Sequence, residues 1–239
     1  MARSILVTGF EAFGGRSINP SMLIAQALAH QDIAGLTVLA EVLPVIRSAS
    51  GERVIELVSR HRPGAVLCFG QGNPEQTGLR IERLAANIRD YPIPDNAGHQ
   101  ATGEPVIAGA PAAHFATLPV VALRDRVRAA GVPCRVSNSA GAFLCNEVFF
   151  ATLHALASTH PRIPAGFVHL PLLPEQVAAL DDPGPSMALE TMLRGARAAI
   201  EATAAFLWTL DDPATATPRR GSVTITPKIR GALPWIGIN

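Results

Sequence analysis

Short β-branched runs alternate along this chain with stretches of helical period, a pattern that predicts a mostly parallel sheet covered by helices on both faces. Ile5-Leu6-Val7-Thr8 reads as the first strand and runs into the turn Gly9 to Gly15. Asn19-Pro20-Ser21 then supplies an N-cap and a first-turn proline for a helix over Met22 to Ala29. A strand over Leu36 to Leu43 stops at Pro44, and Ser48 or Ser50 can cap the helix that carries Val54, Leu57 and Val58. Ala65 to Phe69 is a third strand, followed by a polar glycine-containing loop over 70–79. Arg80 to Asp90 alternates loosely as a strand, and Pro92 to Gly98 is rich in turn residues. A helix over Val121 to Ala130, a strand over Val132 to Ser137, a helix from Phe143 toward Leu156 and a strand over Ala165 to Leu170 follow. A long helix, Ser186 to Leu210 with Ser186 as its cap, ends the regular pattern. The expected architecture is a single-domain α/β/α sandwich spanning residues 1–210, with residues 211–239 a proline- and threonine-rich C-terminal extension.

Composition narrows the function classes. Net charge is +1 with no block of lysine or arginine, which argues against nucleic acid as a partner. Arg124, Arg126 and Arg128 are the densest basic cluster and read as the solvated face of a helix. No run approaches the roughly 18 apolar residues of a membrane helix, and the apolar N-terminal run is too short for a signal peptide. Three cysteines, Cys68, Cys134 and Cys145, are too few and too unpatterned for a disulfide framework or a zinc site. Asp95-Asn96 and Asp181-Asp182 lack companion ligands and read as turns, so no metal is expected. The chain reads as a reduced cytoplasmic protein.

In open α/β sheets ligands bind beyond the carboxyl ends of strands. That rule selects Gly9 to Gly15, Gly70 to Gly78, Ser139 to Cys145 and His169 to Pro174. Cys145 falls at or near the first turn of a helix, where unpaired N–H groups and the helix dipole favour a thiolate. Taken alone it reads more readily as a buried free cysteine filling a small space. His169 closes an apolar strand and can serve as the base for such a thiol, or be satisfied by a backbone carbonyl. The other histidines look like surface residues. Glu82, on a largely apolar strand face, either orients that histidine or pairs with Arg80 or Arg83. The turn after the first strand matches neither the dinucleotide fingerprint nor the P-loop. Its Phe10 and Phe13 suggest an apolar wall over a ligand or ordinary core packing.

Several separated motifs occur in one order: TGFEAFGG with NPS (8–21), LPV (43–45), FGQG (69–72), IERLAANI (81–88), IPDNAG (93–98), VSNSAGAFLCNE (136–147) and GFVHLPLLPEQ (166–176). On these the chain resembles the pyroglutamyl peptidase I (pyrrolidone-carboxylate peptidase) family of cysteine peptidases over roughly residues 4–205. The resemblance implies a phosphorylase/hydrolase-like fold and removal of an N-terminal 5-oxoproline residue from peptides. It implies Cys145 as nucleophile, His169 as general base and acid, and Glu82 as the group that orients the histidine. Phe10, Phe13, Ile93, Phe143 and Leu144 match positions around the lactam ring, and Gln71 and Asn19 match polar positions of the site. It further implies a cofactor-free cytoplasmic homotetramer whose partner is a peptide substrate.

Four departures from the family pattern stand out. The loop GQGNPEQTG replaces the family's shorter GQAGGR, and Pro92 replaces an arginine before IPDN. Ala142 stands for threonine, and Glu147 for the histidine that commonly follows Cys-Asn. The altered loop and Pro92 motivate an alternative reading, a binding protein that keeps the pocket without efficient chemistry.

Overall fold

The computed structural model describes residues 3–178 and 180–211. In chain order its elements are β1 (Arg3–Phe10), α1 (Pro20–Leu28), β2 (Asp32–Ile33), β3 (Leu36–Leu43), α2 (Ala49–His61), β4 (Ala65–Gln71), β5 (Leu79–Glu82) and β6 (Leu84–Ala86). β7 (Ala113–Phe115), α3 (Val120–Ala129), β8 (Cys134–Ser137), α4 (Leu144–Thr159), β9 (Ala165–Leu170), α5 (Pro174–Val177) and α6 (Leu189–Asp211) complete it. Seven strands form one sheet in the order β2-β3-β1-β4-β9-β5-β8. Its centre, β3-β1-β4-β9, is parallel. β1, β4 and β9 are nearly continuous buried apolar runs because helices cover both faces. On one face Ile5, Val7, Leu67 and Val168 pack with residues of α1, α3 and α6; on the other Leu6, Val66 and Phe167 pack with residues of α2 and α4. Burying each such side chain contributes roughly 1.5–3 kcal/mol.

The expected sandwich is present, and some of its details differ from the sequence reading. The stretch Arg80 to Asp90 is not one strand. β5 belongs to the large sheet, and β6 pairs instead with β7 in a two-stranded sheet. The chain changes partners at Arg83, whose N–H donates to Ser137 O while its carbonyl accepts from Ala116 N–H. β5 is antiparallel to β9 and β8 runs with β5, so these two strands are reversed relative to the sheet centre.

Neither serine caps α2. Ser50 Oγ donates to Pro44 O and Ile46 O, and the Ser48 N–H donates to the Glu147 carboxylate 2.7 Å away. Ser48 itself sits at φ 62°, in the left-handed region. Asn19 does cap α1, its Oδ1 accepting from the Ser21 N–H at 3.0 Å. α6 starts at Leu189, so Ser186 lies outside it, in a segment where Met187 N–H donates to Leu172 O. The arginine cluster of α3 lies toward solvent, Arg126 and Arg128 being exposed; Arg124 pairs with Asp125, Arg126 with Glu201, and Arg128 Nε donates to Cys134 O. His114 and His154 are half-buried rather than superficial, their nitrogens 3.1 Å apart beside Phe150. Apart from Asp211, the C-terminal extension expected over 211–239 lies outside the described residues.

Candidate active site

Three strand-borne positions share one face of the sheet. Cross-strand register places Gly70 of β4 opposite His169 of β9, and His169 opposite Arg80 of β5. Two residues along, Glu82 lies opposite Phe167. Registered partners point to the same side of a sheet, so Glu82 and His169 emerge together. His169 Nδ1 is 2.9 Å from Glu82 Oε1, and both residues are buried. The carboxylate therefore fixes the ring and selects the tautomer, leaving Nε2 toward the cleft. Of the partners open to Glu82 in the sequence, the histidine is the one it meets; Arg80 and Arg83 form no ion pair with it among the described residues.

Cys145 arrives by a different route. It is the second residue of α4, whose N-cap, Phe143, offers no side-chain cap. The amides of the first turn thus lack an acceptor of their own and face outward with the positive end of the dipole. β8 ends at Ser137, level with Glu82 and pointing away from the carboxyl ends of β4 and β9. The segment the strand-end rule selects, Ser139 to Cys145, does line the cleft, although β8 is reversed and β5 separates it from β9. The cysteine nevertheless reaches the site because the loop after Ser137 turns back and α4 begins over Gly70. A β-carbon on Gly70 would lie 2.7 Å from Cys145 Sγ and 2.8 Å from the Phe167 ring, so only glycine admits the sulfur here.

The three thiols are not equivalent. Burial pushes Cys68 up to about 12 and Cys134 up to about 11, keeping both protonated and inert. Cys145 is half-buried beside the imidazole. Burial alone opposes charge on His169. The Cys145 sulfur and the Glu82 carboxylate on either side outweigh it, and the imidazole is raised from 6.5 to about 9.

The surrounding cleft encloses about 1070 Å³. Phe10, Phe13, Ile93, Phe143 and Leu144 form an apolar wall at one end, with Phe13 and Phe143 rings 5.7 Å apart. Asn96 fastens this wall: its Nδ2 donates to Glu11 Oε1 and to Ala12 O, tying the turn after β1 to the turn at 93–98. Gln71 lines the cleft with its carbonyl oxygen held by Gln176 Nε2 at 2.8 Å, so its own amide N–H groups are left to donate. Asn19 also lines the cleft, and its polar atoms are engaged internally, with Ser21 and Glu11 O. Pro92 and Ala142, two of the departures, lie on the cleft lining; Ala142 O accepts from Asp90 N–H.

Several residues that position the site escaped the sequence reading. Gln76, in the remodelled loop, is buried and donates to His169 O at 2.8 Å and to Gly78 O. Asn146 clamps the first turn of α4 to β6, accepting from Ala86 N–H and donating to Ala86 O and Ile88 O. Glu147, buried beside it, accepts from Arg89 Nε at 2.7 Å, from the Tyr91 hydroxyl and from Ser48 N–H. Burial and that carboxylate together push the Tyr91 phenol far above its ordinary value. The available signal was a pair of polar residues directly after the cysteine in an otherwise apolar helix. Among the described residues no group of three or more His, Cys, Asp or Glu side chains is placed to hold a metal ion. No helix among them is long and apolar enough to cross a membrane.

Comparison with known proteins supplies the family. A pyroglutamyl peptidase family profile matches residues 3–205. The pyrrolidone-carboxylate peptidase of Vibrio vulnificus is 45% identical over 194 residues, covering 81% of this chain and 89% of that protein. The one from Gloeobacter violaceus is 46% identical over 198 residues, covering 82% and 95%. Among solved structures, pyrrolidone carboxyl peptidase from Thermococcus litoralis superposes with a TM-score of 0.83 at 36% identity, covering 88% of this chain and 97% of that one. Pyroglutamyl peptidase I from Bacillus amyloliquefaciens gives 0.81 at 32% identity, covering 85% and 97%. With matches of this extent in sequence and in fold, the chain belongs to the pyroglutamyl peptidase family.

Proposed function

We propose that this chain is a cysteine peptidase that removes an N-terminal pyroglutamyl residue from peptides, with Cys145, His169 and Glu82 as its reacting and orienting groups. The observation that carries the reading is the convergence of a helix-start cysteine, a buried histidine raised to about 9 and a buried carboxylate 2.9 Å from its ring. The lactam ring lies against Phe10, Phe13, Ile93, Phe143 and Leu144, and the Gln71 amide donates to its carbonyl. Asn19 shapes the turn that holds the two phenylalanines. The Cys145 thiolate attacks the scissile carbonyl carbon, and first-turn amides of α4 donate to the developing oxyanion. The C–N bond breaks as the His169 imidazolium gives its proton to the leaving amine. Water then attacks the thioester, His169 takes the water proton, and 5-oxoproline leaves with the thiolate restored.

The catalytic unit is residues 1–210, consistent with the family match over 3–205. For assembly and location the reading is a cytoplasmic homotetramer, supported by the family resemblance and by three unpaired thiols. The alternative of a binding-only protein rests on the altered loop and Pro92, yet Gln76 of that loop supports His169. The deciding experiment is hydrolysis of a pyroglutamyl arylamide by wild type and Cys145→Ala, with a prolyl arylamide as control. Wild-type turnover of the pyroglutamyl compound alone, lost by at least about 10⁴-fold in the variant, is the expected result. Turnover that survives the substitution overturns the assignment.

A further inference from the structure

The cleft extends well beyond the cysteine and histidine, and its far end is built differently from its apolar wall. In the row Gly70, His169, Arg80, Arg135, each residue is the cross-strand partner of the next. Phe10 lies on the other side, on β1, next to β4 in the sheet. The apolar wall and the arginines therefore flank the histidine from opposite directions. A ring seated on the Phe10 side sends the leaving peptide across β9 toward β5 and β8.

Arg80 and Arg135 both line the cleft. Like charges directly opposite on neighbouring strands repel, and Arg80 and Arg135 are such a pair. Among the described residues neither forms an ion pair, Arg135 makes no side-chain hydrogen bond, and Arg80 donates only to Asn73 Oδ1 at 3.3 Å. Arg80 Nε is buried with no partner. Burial and the neighbouring Arg135 work against its charge, and together they outweigh Glu82 and Glu75, which favour it. The remaining charged groups on the cleft lining are Arg16, after the phenylalanine turn, and Asp90, bonded through its N–H to Ala142 O.

We propose that Arg80 and Arg135 form a carboxylate subsite for the leaving peptide, making this chain selective for pyroglutamyl peptides with an anionic group two to three residues past the scissile bond. Arg135 stands two strand spacings from His169, about 10 Å, which an extended peptide spans in about three residues. A guanidinium pair presents several N–H donors to a carboxylate in the fork geometry it prefers. The carboxylate is either the C-terminus of a short peptide or an acidic side chain of a longer one.

The inference rests on the peptidase reading, and the test separates the two. kcat/KM is measured for pyroglutamyl-Ala-Ala as free acid and as C-terminal amide, and for pyroglutamyl-Ala-Asp-Ala-amide against its Asn counterpart. Wild type, Arg80→Gln and Arg135→Gln are compared, with a pyroglutamyl arylamide as reference substrate. Wild type is expected to prefer at least one charged member by about tenfold, and the ratio is expected to fall toward one in both variants. The pair that shows the preference identifies the source of the carboxylate. Because the readout is a ratio within each enzyme, a general loss of rate from disturbing the neighbour of His169 does not mimic it. Ratios near one in wild type, or unchanged in both variants, overturn the subsite while arylamide turnover leaves the peptidase reading standing. Failure to cleave any pyroglutamyl substrate overturns both.

Discussion

Two buried carboxylates lie within the same part of this molecule and do opposite work. Glu82 makes one hydrogen bond, to His169, and its second oxygen has no partner. Glu147 is saturated: Arg89, Tyr91 and the Ser48 amide together occupy both oxygens. A carboxylate held by a guanidinium and several donors is a brace, since nothing around it changes charge in the ordinary pH range. One held by a single imidazole is coupled to a proton that moves. The first ties the opening turn of α4 to the start of α2 and to the segment at 89–91; the second sets the ring that faces the sulfur. The sequence presents both as glutamates in apolar surroundings, and only the partners tell them apart.

The sharpest way to break the comparison is to truncate the brace. Glu147→Ala leaves Arg89 buried without its counter-charge and is expected to lower unfolding free energy by about 3–5 kcal/mol, read by denaturant titration. Glu82→Gln keeps shape and one acceptor, so its cost falls on chemistry: kcat/KM for a pyroglutamyl arylamide is expected to drop about 10²-fold or more, with a smaller change in stability than Glu147→Ala produces. A reversed ranking, with Glu82→Gln the more destabilising, refutes the division of labour.

The same variant should shift the pH profile. His169 is raised to about 9, so wild-type kcat/KM is expected to fall as pH climbs through that value and the leaving amine loses its proton donor. Since the folded state holds this proton more tightly, the histidine's contribution to stability is complete below about 6.5 and disappears as pH rises through about 9. In Glu82→Gln the alkaline limb is expected to move to lower pH. The smallest effect belongs to Tyr91→Phe, which removes one of the donors to Glu147 and is expected to cost about 1 kcal/mol of stability.

How much of this was legible in advance depended on distance along the chain. The central strands announced themselves as unbroken apolar runs, and the small-residue loop before Phe143 marked the start of α4 because both signals are local. The reversal of β5 and β8 was hidden, since strand direction in a sheet is decided by register between segments far apart. Local propensity also misread the start of α2. Ser48 and Ser50 looked like caps, but the group that meets the Ser48 amide comes from Glu147, 99 residues away. Gln76 carries no pattern of its own; its value lies in reaching the backbone of His169, 93 residues later. Glu82 was narrowed by the cost of burying a charge, which says that a partner exists without saying which.

Gly70, His169, Glu82 and the two arginines beside them are fixed by hydrogen-bonded strands, whereas much of the rest of the cleft lining hangs on the connections at 72–78, 92–98 and 138–143. Recomposing the connections at 92–98 and 138–143 alters what is admitted without touching the proton-transfer pair, whereas the one at 72–78 must keep Gln76 on His169 O. The scaffold is therefore modular in the evolutionary sense. Drift in preference and loss of turnover are separate mutational events, and a chain with a rebuilt entrance loop can remain a working enzyme with a new diet.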